Sequence, residues 1–234
     1  MPSRWTMSTR TDQGPRHHMA DAAHHAGRLA WAVADGVGDD YEPALAADMA
    51  VMAAPYAAVT GGAARGIAAA RATLKDYYRG APPSQVGDCV MVTAAPMPER
   101  VGGGWDFAWV GDCRAYVLQR GGLRQVTEDH TEGEAMRGWK DPYWATIAHA
   151  YDHIVTRTVL GDETIASARI VGPVERVMLC SDGVSKVVPA PDIERILTAD
   201  IHPRHATRAL IAAARSHRSG TDNIAVTVIA PRTP

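Results

Sequence analysis

Four aspartates stand beside a glycine or an amide at the borders of apolar runs. Asp35 and Asp182 each end an apolar run and precede a glycine, and Asp222 precedes an asparagine and a further apolar run. Asp112 follows Trp109, Val110 and a glycine at the end of a predicted strand. A carboxylate at the end of a core strand is held rigidly while it faces a cleft, and glycine lets backbone oxygens approach a ligand closely. These positions are therefore candidates for ligating a metal ion.

Carboxylates that share one cleft raise each other's pKa, and a divalent cation removes that cost. Ligation by carboxylate oxygens and water suits Mg²⁺ or Mn²⁺ rather than zinc. Two such ions can activate a water molecule for in-line attack on phosphorus. Taken alone, each Asp-Gly pair is more typical of a turn or a helix cap. Four such acids, each tied to a predicted strand, favour metal-dependent hydrolysis of a phosphate ester.

Apolar patterning predicts the elements that must hold these acids in place. Strands are predicted at residues 5–12, 20–25, 29–34, 89–95, 105–110, 114–119, 123–127, 168–171, 176–180 and 224–230, and helices at 43–59, 63–78, 191–198 and 203–215. Pro55 and the pair Gly61-Gly62 are expected to interrupt or end the first helix, and residues 132–151 are expected to be irregular or weakly helical. Paired helices with meandering strands between them predict an α+β fold, a four-layer α-β-β-α sandwich of two antiparallel sheets flanked by helices.

Composition narrows the class of protein. The 234 residues suit a single domain, and the formal net charge of -2 argues against nucleic acid as a partner. Residues 1–10 lack the apolar core of a signal peptide, and no run approaches the roughly 18 uninterrupted apolar residues of a membrane span. The cysteines Cys89, Cys113 and Cys180 have no zinc-ligand spacing and are odd in number. A cytoplasmic protein with no membrane partner is expected.

The order of the motifs resembles that of the PPM family, the PP2C-type protein serine/threonine phosphatases of bacteria. Residues 109–116, WVGDCRAY, are similar to the family segment V-G-D-S-R-A-Y, and residues 122–131, GLRQVTEDHT, to the segment that follows it, G-x-L-x-x-L-T-x-D-H-S. Residues 154–161 resemble I-T-R-A-L-G, residues 179–184 resemble L-x-S-D-G-L, and residues 220–226 resemble G-S-x-D-N-I-T-V. The matches keep the family order and span nearly the whole chain.

The resemblance implies a β-sandwich with helices on both outer faces, and hydrolysis of phosphoserine and phosphothreonine on proteins. It also implies two Mn²⁺ or Mg²⁺ ions and a third, weaker ion. Asp35 would bridge the two principal ions, the Gly36 carbonyl would bind one of them, and Asp182 and Asp222 would complete the site. Asp112 matches the acid that helps to bind the third ion.

Two further residues match family positions near the amino terminus. Arg16 matches the arginine that grips the substrate phosphate, and Asp21 matches the acid of the family's Glu-Asp pair. Phosphorylated proteins and a cognate Ser/Thr kinase are the partners that the resemblance implies.

The chain departs from the family pattern at several places, among them Gly87-Asp88-Cys89, where the family has G-T-T. Ala20 replaces the usual glutamate, which predicts weaker binding of the second ion, with Asp39 or Asp40 as candidates to compensate. Val37 stands where some members have a histidine that can act as general acid. Residues 132–152, which we call the flap, are short and unlike the family's stretch. Ala20 and the flap leave a second hypothesis open, a phosphatase-like binding or sensing domain with little or no turnover.

Overall fold

The computed structural model describes residues 5–99, 102–199 and 201–232. Its strands are β1 (Trp5–Asp12), β2 (Asp21–Ala26), β3 (Ala30–Gly36), β4 (Cys89–Pro96), β5 (Trp105–Val110), β6 (Arg114–Gln119), β7 (Gly122–Gln125), β8 (Ala166–Ile170), β9 (Arg176–Cys180) and β10 (Ile224–Pro231). Within the described ranges they form two antiparallel sheets. The first sheet has the order β1-β10-β9-β6-β7, and the second has the order β2-β3-β4-β5-β8.

Helices cover the outer face of each sheet. The helices of the described ranges are α1 (Tyr41–Gly61), α2 (Ala63–Tyr77), α3 (Glu132–Arg137), α4 (Pro142–Ile147), α5 (Asp182–Ser185), α6 (Ala190–Thr198) and α7 (Pro203–Ser216), and α1, α2, α6 and α7 are those that cover the sheets. The helices α1 and α2 share an apolar cluster with the second sheet, and α6 and α7 share one with the first. A third cluster lies between the sheets. The predicted four-layer α-β-β-α sandwich is therefore confirmed.

Strand β3 shows why its sequence is continuously apolar. Trp31 and Val33 belong to the cluster between the sheets, whereas Ala32 and Ala34 belong to the cluster under α1 and α2. A strand that is covered on both faces needs apolar side chains at every position. The alanines leave room for the alanine-rich face of α1, while Trp31 fills the space between the sheets and is fully buried. Burial of one large apolar side chain stabilises the fold by about 1.5–3 kcal/mol, so the strand that ends in Asp35 is firmly held.

The expectation that Pro55 interrupts or ends the first helix was wrong. Helix α1 continues through Pro55, which is buried, and ends at Gly61. Proline removes one N–H donor, and the contacts of α1 with α2, β2, β3 and β4 hold the helix across that gap. The flap contains α3, α4 and a 3₁₀ turn at Ala148–Tyr151, so it is more helical than expected.

Helix α1 is the one helix in the described ranges that is long and apolar enough to cross a membrane by length and composition alone. A core helix passes the same test, and α1 packs as one. Its amino-terminal cap is Asp40, whose carboxylate accepts a hydrogen bond from the Tyr41 N–H.

Candidate functional site

The strand ends that carry the predicted acids meet at one open cavity of about 160 Å³. This volume is below the roughly 300 Å³ at the small end of pockets for drug-sized ligands, so the cavity suits ions and a phosphate group. Six of the seven predicted site residues line it, namely Arg16, Asp35, Gly36, Asp112, Asp182 and Asp222. The seventh, Asp21, is the cross-strand partner of Asp35 in the β2–β3 pair.

Asp21, which is buried, and Asp35, which is half-buried, form an acidic pair without a cationic partner. The Oδ2 atom of Asp21 is buried and has no hydrogen-bond partner among the described residues. Burial raises the pKa of Asp21 to about 7. Burial also raises the pKa of Asp35 well above its usual range, and the charges of the neighbouring acids, Asp21 first, add to the rise. Two like charges opposite each other in a sheet are destabilising, so this pair favours a bound cation.

Gly36 owes its place to a close approach of two backbone segments. Its N–H donates to the Ala20 carbonyl at 2.9 Å, and a Cβ atom at Gly36 would lie 2.5 Å from the Pro43 carbonyl oxygen. Only glycine fits between these segments, so the start of α1 packs directly on the strand end that holds Asp35.

Asp182 is the first residue of α5 and follows the N-cap residue Ser181. The Ser181 hydroxyl accepts a hydrogen bond from the Ala225 N–H at 2.9 Å, which ties the end of β9 to β10. A Cβ atom at Gly183 would lie 2.0 Å from the Asn223 carbonyl oxygen. The glycine of the Ser-Asp-Gly motif therefore brings the Asp182 turn against the loop that carries Asp222.

Asn223 connects three segments beside the cavity. Its side-chain oxygen accepts from the Ala20 N–H at 2.7 Å, and its amide nitrogen donates to the Gln13 carbonyl at 2.8 Å. It also lines the cavity. The sequence analysis quoted Asn223 within a motif but gave it no role. Its side chain fixes the loops that carry Arg16 and Asp222.

The two arginines on Asp222 play different parts. Arg16 Nη2 donates to Asp222 Oδ2 at 2.9 Å from a position on the cavity wall. Arg215 Nη1 donates to the carbonyls of Asp222 at 2.6 Å and Gly220 at 2.9 Å, and its Nε donates to Asp12 Oδ1 at 2.8 Å. Arg215 therefore holds the backbone of the loop. It lies at the end of a helix, and no local sequence signal marks it.

Asp112 has a cation of its own. We call the part of the cavity around Asp112 and Lys186 the Asp112 end, and the part around Asp21 and Asp35 the Asp35 end. Lys186 Nζ donates to Asp112 Oδ2, to Asp182 Oδ2 at 3.2 Å and to the Asp152 carbonyl at 2.8 Å. Burial lowers the pKa of Lys186, but the charges of Asp112 and Asp182 outweigh this effect and raise it. Burial and the charge of Asp182 raise the pKa of Asp112 to about 6, while Lys186 opposes the rise. Lys186 was not among the predicted site residues, although its i,i+4 spacing from Asp182 is a detectable signal.

The donor set fits a hard divalent cation at the Asp35 end. As the side chains stand, no three acidic, histidine or cysteine side chains in the described ranges converge closely enough to hold an ion. The buried Asp21 oxygen without a partner and the raised pKa of Asp35 nevertheless mark negative charge that the protein does not neutralise. Oxygen donors of this kind suit Mg²⁺ or Mn²⁺. At the Asp112 end, an ammonium already occupies the space between two carboxylates.

Ala20 places a methyl group on the cavity wall, where the family has a carboxylate. Asp39 lines the cavity as well, and its Oδ2 lies 3.9 Å from Arg16 Nη1. Asp40, the other candidate to compensate for Ala20, caps α1. His153, which directly follows the flap, lines the cavity wall.

No protein-family model matches the chain. Among curated proteins, a serine/threonine phosphatase of Listeria welshimeri is 32% identical over 127 residues, which are 53% of this chain and 50% of the relative. The chain thus spans about half the length of the curated relatives that it matches.

Solved structures match over nearly the full chain. The PPM Ser-Thr phosphatase MsPP from Mycobacterium smegmatis, in complex with cacodylate, has a TM-score of 0.80 and 25% identity, covering 97% of this chain and 98% of that one. The catalytic domain of the phosphatase PstP, in complex with two manganese ions, has a TM-score of 0.76 and 22% identity, covering 97% of each chain. The resemblance to the PPM family is confirmed, and the fold is that of these phosphatases.

Proposed function

We propose that this chain is a protein serine/threonine phosphatase that hydrolyses phosphoserine and phosphothreonine with the help of divalent metal ions. The observation that carries the proposal is the single cavity at which Asp35, Asp182 and Asp222 meet, with Arg16 on its wall. The names of the curated relatives and of the solved structures support the same activity.

The residues that would hold two Mn²⁺ or Mg²⁺ ions are Asp35, the Gly36 carbonyl, Asp182 and Asp222. When bound, such ions lower the pKa of a water molecule and neutralise the charge of the phosphate. The acids of the cavity favour binding of these ions, because two carboxylates without a cation repel each other in a site of low dielectric constant. The manganese ions in the related catalytic domain support this assignment.

Arg16 would bind and orient the phosphate of the substrate. Its side chain is 38% exposed and donates one described hydrogen bond, to Asp222. Arginine has five N–H donors, so the guanidinium can bind a phosphate group in bidentate fashion while it stays attached to the Asp222 loop. The binding energy then places the phosphorus beside the acids that hold the ions.

The direct test is release of phosphate from a phosphothreonine peptide with Mn²⁺, with a chelator, and by the Asp182→Asn variant. Release that needs Mn²⁺ and falls at least about 100-fold in the variant supports the proposal, since even outer-shell partners of a metal site cost 10–100-fold. The matched control is Asp192→Asn, an exposed acid paired with Arg195 on α6. Wild-type release that does not exceed the Asp182→Asn background at any Mn²⁺ concentration would contradict it.

Ala20 favours a second candidate, a phosphatase-like binding or sensing domain with little turnover. The methyl group on the cavity wall offers no ligand where the family has a carboxylate. This candidate predicts that the wild-type protein binds a phosphothreonine peptide in the presence of Mn²⁺ and returns it intact. The same assay, followed by mass spectrometry of the peptide, separates the two candidates.

We also propose phosphorylated proteins as substrates, a cognate Ser/Thr kinase as partner, and one phosphatase domain acting in the cytoplasm. The kinase follows from the activity, because a phosphatase for phosphoserine and phosphothreonine needs an enzyme that makes them.

Free, buried thiols at Cys89, Cys113 and Cys180 support a reducing compartment. Co-purification of a kinase with the Asp182→Asn variant, and fractionation of cells, test these points.

A further inference from the structure

Three oxygen atoms surround the Lys186 ammonium. They are Oδ2 of Asp112, Oδ2 of Asp182 and the carbonyl oxygen of Asp152. Lysine has three N–H donors and no acceptor, so each donor has one oxygen. Two carboxylates and a carbonyl are also the donor types that a hard divalent cation takes. The Lys186 side chain is 22% exposed and that of Asp112 only 5%, so the contact is largely shielded from water.

We propose that Lys186 is a built-in cation that takes the place of the third metal ion implied at Asp112. The chain would then bind two ions at the Asp35 end and none at Asp112. This inference rests on the proposed function for the two ions, but its claim about Asp112 stands on separate contacts. An ion that ligates the Asp112 carboxylate would share it with the Lys186 ammonium, and the ammonium and a divalent cation repel each other strongly in a shielded site.

The same ammonium fastens the flap to the cavity. The Asp152 carbonyl accepts from Lys186, and the Asp152 carboxylate pairs with Arg137 of α3 at 2.8 and 2.7 Å. Asp152 is therefore held by its backbone from the cavity side and by its side chain from the flap side. Because the cation is part of the chain, this attachment does not depend on the concentration of metal ions.

The experiment counts Mn²⁺ equivalents by equilibrium dialysis in four proteins: wild type, Asp112→Asn, Lys186→Met, and the double variant. We expect wild type and Asp112→Asn to bind the same number of equivalents. Lys186→Met should bind one more, because the side chain keeps its length but frees two carboxylates and a carbonyl. The double variant should lose this additional equivalent. The control Lys140→Met, at an exposed lysine of the flap, should match wild type.

Two results would overturn the inference. In the first, Asp112→Asn binds one equivalent fewer than wild type, which means that an ion binds at Asp112 beside Lys186. In the second, a folded Lys186→Met protein gains no equivalent. Circular dichroism establishes folding, and Lys186→Gln is the second variant if Lys186→Met does not fold. Failure of the proposed function would give a different result, because wild type would then bind no Mn²⁺. The number of equivalents bound by Lys186→Met could still be compared with the number bound by wild type and by the double variant.

Hydrogen exchange gives an independent measurement without metal. In the presence of a chelator, the amides of residues 151–154 should exchange faster in Lys186→Met than in wild type or Lys140→Met. Saturating Mn²⁺ should slow this exchange again in Lys186→Met, because the Asp152 carbonyl oxygen can ligate an ion that takes the place of the ammonium. It should not slow the exchange in the double variant. Exchange that is equal in all proteins would contradict the role of Lys186 at the flap.

Discussion

The two ends of the cavity solve one electrostatic problem in different ways. At one end, the buried Asp21 lies opposite the half-buried Asp35, and no basic side chain in the described ranges pairs with either of them. At the other end, Asp112 is as buried as Asp21 but holds the Lys186 ammonium. Asp21 and Asp112 are the same residue type with the same degree of burial, so the difference lies in where the positive charge comes from. One end needs a cation from solution, and the other has one in the chain.

The difference teaches which part of the site depends on metal. Burial without a partner raises the free energy of a charged carboxylate. A cation that binds there lowers this free energy again, which strengthens its binding. The Asp112 end gains little from a further cation, because its charge is already balanced. The following predictions test this contrast, from the largest expected effect to the smallest.

Neutralising Asp35 should have the largest effect. Asp35→Asn should lower kcat/KM for a phosphothreonine peptide by at least about 100-fold, or about 2.7 kcal/mol in the barrier, because it removes an acid that would hold the proposed ions. In the presence of a chelator the same variant should melt at a higher temperature than wild type, because a desolvated charge is gone. A fall in both activity and chelated melting temperature would indicate a folding defect and would break the contrast.

The pH dependence of stability should expose the pair without a cation. Because burial raises the pKa of Asp21 to about 7 in the folded chain, the folded state holds a proton that the unfolded state releases near pH 4. The contribution to stability is present below about pH 4 and is lost as the pH rises through about 7. Each pKa unit is worth about 1.4 kcal/mol, so the loss should reach a few kcal/mol.

Chemical denaturation at several pH values, with a chelator and with Mn²⁺, checks this prediction. Mn²⁺ should flatten the loss, and Asp21→Asn should reduce it even with the chelator. A chelated wild-type protein whose stability is constant or rises between pH 4 and 7 would contradict the assignment of Asp21 and Asp35 as an unneutralised pair.

Much of this architecture follows from local sequence patterns, and the reasons are physical. Strands β1, β5, β6 and β9 begin and end where the patterning predicts, because each runs between clear turn or loop signals. The Asp35 strand was predicted from its unbroken apolar run, and burial on both faces is the cause of that run. The family resemblance also predicted six of the residues that line the cavity.

The remaining features depend on contacts between segments that are distant in sequence. Arg215 reaches the Asp12 carboxylate across the fold, and the Asp152 carbonyl meets Lys186 only after the flap has folded. Pro55 was misjudged for the same reason, since packing on the sheet outweighs the lost hydrogen bond. The propensity of a residue for helix or strand acts over a few neighbouring positions. The contacts of Arg215, Asp152 and Pro55 depend instead on how the sheets and helices pack on each other.

Removing the chain's own cation should have an intermediate effect. Lys186→Met should destabilise the chelated protein at pH 7 by about 1–3 kcal/mol, less than the loss for a fully buried pair because Lys186 is partly exposed. The double variant with Asp112→Asn should be less destabilised than Lys186→Met alone, because it leaves one fewer carboxylate without a partner. Lys140→Met should change stability by less than about 0.5 kcal/mol. Equal losses for the single and double variants would show that Lys186 does not compensate Asp112.

The smallest effect is expected at Arg16, whose contact with Asp222 is more exposed than either end of the cavity, with side-chain exposures of 38% and 39%. Arg16→Lys keeps a positive charge beside Asp222 but removes the planar fork that can grip a phosphate with two bonds. We expect kcat/KM to fall about tenfold, or about 1.4 kcal/mol, with stability within about 0.5 kcal/mol of wild type. The number of Mn²⁺ equivalents should not change, because Arg16 is not among the proposed metal ligands. Arg195→Lys, an exposed arginine of α6 paired with Asp192, serves as the matched control. A change in Mn²⁺ binding as large as the change in turnover would contradict this assignment. Arg16 would then act like Lys186, as a cation of the chain that neutralises an acid of the site, and Asp222 would join Asp112 as an acid whose charge the protein balances itself.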